Sequence, residues 1–136
     1  MLIHLAAYAI ALVLFVATDI VWLSTLGASL YRATLGDILA PSVRLEPAFA
    51  FYLLFPLGIV VFAIAPALRS SSPLAALFYG ALFGLIAYAT YDLTNHATLR
   101  NWTLKITLID MLYGTVVVAA VSLLTFYILQ WFGRTA

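Results

Sequence analysis

Leu2–Leu26 reads LIHLAAYAIALVLFVATDIVWLSTL, and Asp19 is the only formally charged side chain in it. An α-helix of that length is about 37 Å long, more than the roughly 30 Å hydrocarbon core of a bilayer. No polar face runs through the stretch, so it does not read as a surface helix of a soluble protein. It predicts a membrane span. It lacks the Lys/Arg that opens a signal peptide and carries an acid inside its apolar run, so it reads as a retained span.

Working outward, the same texture returns three times. Further spans are predicted at about Pro47 to Leu68, Pro73 to Ala97 and Thr103 to Phe132. Backbone groups in lipid must be paired within the protein, so these segments are helices; the alternating segments of about ten residues that build a barrel are absent. The whole chain agrees. Of its 136 residues 66% are hydrophobic and 8% charged, with a mean hydropathy of +1.15. Soluble domains run about 25% charged. The expected fold is all-α, a four-helix transmembrane bundle forming a single integral membrane domain over residues 1–136.

The connections refine this. Arg69-Ser70-Ser71-Ser72 is a tight turn with Ser72 as N-cap and Pro73 at the first helical position, which makes helices two and three antiparallel neighbours. Between helices one and two, Leu30, Tyr31, Ala33, Leu35, Ile38 and Leu39 sit among Arg32 and Asp37. That mixture predicts a short interfacial helix or a loop on the headgroups. Tyr31, Trp102 and Trp131 are expected as interfacial anchors, and Pro56 as the site of a kink in helix two. Arg32, Arg44, Arg100 and Lys105 lie in the first and third connections, against Arg69 and Arg134 on the other side. The positive-inside bias therefore puts those connections in the cytoplasm and both termini outside.

A net charge of +1 offers no basic surface for nucleic acid, and the lack of Cys removes disulfides and thiol chemistry. Chemistry, if present, lies with the acids inside the spans. A charge at mid-bilayer costs about 2.5–3.5 kcal/mol on insertion scales, so such residues mark pathways, sites or interhelical ties. Asp19 and Asp92 fall near the C-terminal ends of helices one and three, and Asp110 near the N-terminal end of the oppositely running helix four. All three are thereby expected at one depth, roughly 8–10 Å inside the boundary on the side of the first and third connections.

Helical phase is expected to bring them together. Asp19 shares a face with Tyr8, Leu12, Phe15 and Trp22; Asp92 shares one with Gly80, Gly84, Tyr88 and Asn95; Asp110 aligns with Thr107 and Gly114. Gly80 and Gly84 form a GxxxG pair that lets a neighbouring helix approach. The candidate ligand-binding set is Asp19, Asp92, Asp110, Asn95, Tyr88 and Trp22. These oxygens would suit a proton or a hard cation, with His96 flanking, although no established metal motif is present. The alternative is that the acids hydrogen-bond neighbouring hydroxyls and hold the helices together.

The stretch Tyr91-Asp92-Leu93-Thr94-Asn95-His96-Ala97-Thr98-Leu99-Arg100-Asn101-Trp102 resembles the signature of the DUF2177 family of predicted bacterial membrane proteins. So do Asp19-Ile20-Val21-Trp22-Leu23, Phe51-Tyr52-Leu53-Leu54, Pro66-Ala67-Leu68, and Asp110 with Gly114. The chain departs from the family pattern at Tyr113, Thr103 and His96, where Trp, Pro and an apolar residue are usual. The resemblance implies a small bacterial inner-membrane protein and no assigned activity. Three functions stay open: binding or translocation of a small molecule, lipid or ion, an intramembrane enzyme acting on lipid headgroups, or an accessory subunit. Membrane lipids are the expected partners, and a transporter of this size would need a homo-oligomer to build a pathway.

Overall fold

The computed structural model describes residues 2–135, and among them no strand occurs. In chain order the helices are α1 (Leu2–Ser24), α2 (Leu26–Leu35), α3 (Leu45–Ile59), a π-helical segment (Val60–Ile64), α4 (Ala65–Ser70), α5 (Pro73–Thr98) and α6 (Leu104–Thr135). Four stretches are long and apolar enough to cross a membrane: Leu2–Ser24, Leu45–Ser70, Pro73–Thr98 and Leu104–Gly133. The second is α3, the π segment and α4 in one continuous rod.

Large apolar side chains such as Val13, Leu54, Phe78 and Leu112 point outward, as lipid allows. Polar side chains on the outside of the spans are satisfied locally. The Thr18 hydroxyl donates to the Leu14 carbonyl at 2.8 Å and that of Thr90 to Ile86 at 2.7 Å. The core is a narrow seam of Ala7, Ala11, Phe15, Ile59, Ile64, Val118 and Val121. On α1 and α6 its residues recur at three- and four-residue steps, the period of one helical face, while Ile59 and Ile64 are five apart across the π segment.

The third and fourth spans pack along most of their length. Glycine makes that possible: a Cβ on Gly84 would run into the Gly114 carbonyl, and one on Gly80 into Ser122 and the Val118 carbonyl. The GxxxG pair therefore faces α6. At the turn between α4 and α5, Ser72 Oγ accepts from the Ala75 N–H at 3.2 Å, as an N-cap should. Ser71 before it is left-handed, with φ 49°. The Ser71 and Ser72 N–H groups reach back to the Leu68 and Ala67 carbonyls, closing the end of α4.

The first connection forms the short helix expected between helices one and two, α2, and Leu35 at its end packs with Trp102 and Ile106, with Leu30 and Tyr31 beside them. Trp102 is accordingly buried, only 5% exposed, and its indole N–H donates to Thr107 Oγ1 at 3.1 Å. Neither Trp102 nor the half-buried Tyr31 is an interfacial anchor; both are packing residues that α2 draws inward.

In helix two, α3 runs through Pro56, and a π-helical turn follows at Val60–Ile64. Pro56 has no N–H, which leaves the Tyr52 carbonyl without its helix partner. On the next residue, the Leu53 carbonyl accepts from the Tyr8 hydroxyl of α1 at 3.0 Å. The wide turn Val60–Ile64 precedes Pro66, and the Ala65 N–H bonds the Val60 carbonyl five residues back. A proline ring clashes with the carbonyl four residues before it, here Phe62, and widening the turn relieves that clash.

Candidate functional site

The site lies at the α2 end of the bundle. The second and third spans meet tightly at the π segment and next to it, where Gly58 lies against the Phe83 ring. Toward the α2 end, α3 and α5 meet through large rings, Phe55 against Phe83 and Tyr88, and not through close backbone approach. Between them opens a cavity of about 410 Å³.

Each span contributes to its wall. α1 supplies Asp19 and Trp22, α3 supplies Phe51, Tyr52 and Phe55, α5 supplies Tyr88 and Tyr91, and α6 supplies Asp110 and Tyr113. Tyr31 of α2 and Val43 of the connection complete the α2 end. Phe51 and Tyr91 are also exposed on the outer surface, at 43% and 53%, as is Val43. The mouth therefore lies between the second and third spans, open sideways and toward the α2 end.

The rings are locked against one another. Trp22 stacks on Tyr113 with centroids 4.1 Å apart and planes 8° from parallel. Tyr88 meets Tyr113 edge-on at 6.0 Å and Phe55 edge-on at 6.1 Å. Phe55 in turn stacks on Phe51 at 5.2 Å. Aromatic pairs in these geometries are favourable by about 0.5–1.5 kcal/mol beyond the area they bury, so the wall is stiff. Gly114 lets it close, because a Cβ there would strike the Tyr88 ring.

The three acids have different surroundings. Asp19, 6% exposed, receives two hydroxyls: Tyr52 donates to Oδ2 at 2.7 Å and Tyr113 to Oδ1 at 3.0 Å. It thus joins α1, α3 and α6. Asp110, 2% exposed, has Tyr31 beside it, yet its Oδ1 has no hydrogen-bond partner among the described residues. Burial first, then the adjacent Asp110 carboxylate, push the Tyr31 phenol up, so Tyr31 stays protonated and keeps a hydrogen to donate.

Asp92 is fully buried, lies against Asp110, and has neither oxygen partnered. It does not line the cavity. A carboxylate has no donor of its own, so the Asp92–Asp110 contact becomes a hydrogen bond only when one of them carries a proton. The Trp22 indole N–H is likewise buried and unpartnered.

Of the six residues expected to bind a ligand, Asp19, Asp110, Tyr88 and Trp22 line the cavity. Asp92 sits behind Asp110, and Asn95, half-buried, lies outside the lining beside Tyr91. His96 is exposed. The acids form a pair and a separate member rather than one triad, and among the described residues no three His, Asp or Glu side chains gather closely enough to hold a metal ion.

Sequence reasoning missed Tyr52 and Tyr113 as partners of Asp19, and Tyr31 as the neighbour of Asp110. Depth alone points to Tyr52, which enters its span from the same end as Asp19 leaves. Tyr113 follows Asp110 by three residues and so falls on the same face. No signal in the sequence reveals Tyr31, because its position depends on α2 folding back.

An all-α bundle of four long apolar spans, with its acids turned inward and its leucines outward, is a multi-pass membrane protein. Residues 4–127 match the family described as "Predicted membrane protein (DUF2177)", and the chain belongs to that family. No curated protein and no solved structure matches it.

Proposed function

We propose that this chain is a bacterial inner-membrane protein that binds or translocates a small molecule or lipid through the aromatic cavity at its α2 end. One observation carries the reading: Asp110 on the cavity wall is 2% exposed and keeps an oxygen with no protein partner. Leaving a buried acceptor unsatisfied costs about 1–3 kcal/mol, more for a charged one, a cost that a ligand reaching the acid pair would offset. The cavity is also within the roughly 300–1,000 Å³ range of small-molecule sites.

Asp19 has a different part in this reading. With both oxygens engaged by tyrosines from two other spans, it holds the wall in place. Asp110 meets the ligand, Asp92 stands behind it, and Tyr88 and Trp22 shape the cavity. The 136 residues form one domain in this proposal, with both termini periplasmic. Arg32, Arg44, Arg100 and Lys105 are all exposed at the α2 end, which supports a cytoplasmic site. A translocation pathway would require a second copy of the chain.

Ala87 lines the cavity without touching the argument about the acids, so Ala87→Trp should fill it. Native mass spectrometry of protein released from mild detergent is expected to show a retained small molecule on the wild type and none on Ala87→Trp. A wild type that emerges empty, and stays empty after incubation with a total membrane lipid extract, would overturn the reading.

A further inference from the structure

The cavity combines acids, aromatic faces and a sideways mouth, while none of the residues lining it is Lys, Arg or His. The chain's cations lie elsewhere: Arg32, Arg44, Arg100 and Lys105 are exposed around the α2 end, and Arg69 at the opposite turn. Asp110 therefore lines the cavity with the Asp92 carboxyl at its back and no cationic side chain among the lining residues. Two carboxyls this close repel unless they share a proton, and a cation entering the cavity relieves the same repulsion.

The wall selects among partners. An anionic headgroup would meet Asp19 and Asp110 at close quarters and be repelled. A small hydrated metal ion would find two carboxylates, one of them already accepting two tyrosine hydroxyls, in a lining dominated by rings, where hard cations want six to eight oxygens. A neutral molecule gains no more than hydrogen bonds from the acids. An organic ammonium satisfies both features, since its charge is attracted to carboxylate and to the faces of Trp and Tyr alike. Trp22, Tyr88 and Tyr113 bring three such rings to the same wall, held at fixed angles.

The mouth adds a second property. It lies beside Phe51 and Tyr91, both exposed and both on spans long and apolar enough to cross a bilayer. A ligand can leave an apolar tail in the bilayer there while its head enters. We infer that the occupant is a cationic amphiphile, an amine or quaternary ammonium on an apolar body, held by Asp110 and the Trp22–Tyr113–Tyr88 wall. This rests on the proposal that the cavity is a binding site. The ammonium can belong to a lipid headgroup or to a free lipophilic amine.

The test uses the full chain in phosphatidylglycerol nanodiscs, titrated calorimetrically against an empty-disc blank. Three probes share one tail: hexyltrimethylammonium, the neutral N-hexylacetamide and the anionic hexyl phosphate. Hexyltrimethylammonium should bind roughly tenfold or more tightly than the other two. Asp110→Asn, nearly isosteric, should bring hexyltrimethylammonium down to the level of N-hexylacetamide. If Asp110→Asn does not fold, the ranking on the wild type decides alone. Equal binding of all three probes would overturn the ammonium inference and leave the cavity standing as a binding site. So would failure of all three to bind while the native protein still carries a retained molecule. Failure of all three with an empty native protein would overturn both. Discs that include phosphatidylethanolamine identify the source: a tenfold weakening of hexyltrimethylammonium marks the lipid headgroup as competitor, and unchanged affinity marks a free amine.

Discussion

At the end of the bundle where Ser71 turns the chain, small residues set the packing. Ala67 and Ala76 are fully buried against Phe126, and Gly80 lies against Ser122. At the α2 end the same spans carry Tyr52, Phe55, Tyr88 and Tyr113, which cannot interdigitate as closely, and the helices part around a cavity. In lipid no hydrophobic force pushes helices together, so backbone approach is decided by side-chain size and by interhelical hydrogen bonds. The closed end uses the first device. The open end, where large rings prevent it, uses the second, through Tyr52, Asp19 and Tyr113.

Breaking the closed end should have the larger effect. Gly84→Val places a branched side chain where even a Cβ would meet the Gly114 backbone, so nothing flexible can yield. The expected cost is about 3 kcal/mol or more, read as loss of monodisperse protein on size exclusion. Gly133, with nothing within 4 Å of a built Cβ, is the control, and Gly133→Ala should leave the profile unchanged.

Cutting the tie at the open end should cost less. Asp19→Ala leaves the Tyr52 and Tyr113 hydroxyls without their shared acceptor, a loss of about 1–3 kcal/mol in denaturant titration. Hydrogen bonds between spans average nearer 0.6 kcal/mol, which places the lower half of that range first. Asp110→Asn removes no hydrogen bond from Oδ1, so its melting point should stay near that of wild type. A loss as large as that of Asp19→Ala would erase the distinction drawn between a tying acid and a ligand-facing one.

The one gain in stability belongs to the turn. Ser71 adopts the left-handed conformation that glycine enters without penalty, and Ser71→Gly should stabilise the closed end by about 1 kcal/mol. An unchanged or lower melting temperature would show that the Ser71 side chain contributes something the backbone geometry does not.

What the sequence made legible follows from which forces are local. Span lengths, the Ser72 cap and the glycine face of α5 depend on composition and helical period, and each is found where the pattern puts it. The inward direction of Asp19, Asp92 and Asp110 was equally readable, because lipid excludes them from every other face. Their division into a pair and a separate member was not. It depends on how far α3 stands from α5, and ring packing among Phe55, Tyr88 and Tyr113 determines that distance only in three dimensions. Tyr31 and Trp102 were misplaced for a related reason: an aromatic residue near a boundary looks the same whether it anchors in headgroups or serves a helix that folds back over it.

The wide turn at Val60–Ile64 divides the second span into two halves whose angular settings are independent. Below it Ala65 and Ala67 are matched to the closed end; above it Tyr52 and Phe55 are matched to the site. A loop of that kind works as a one-residue slack in the helix. Were it drawn out by deleting a single residue and restoring an ordinary α-turn, one half would rotate by about 100° relative to the other. Tyr52 would swing away from Asp19 while the glycine seam stayed shut. The site's alignment with the rest of the bundle is thus stored in the count of residues along one rod.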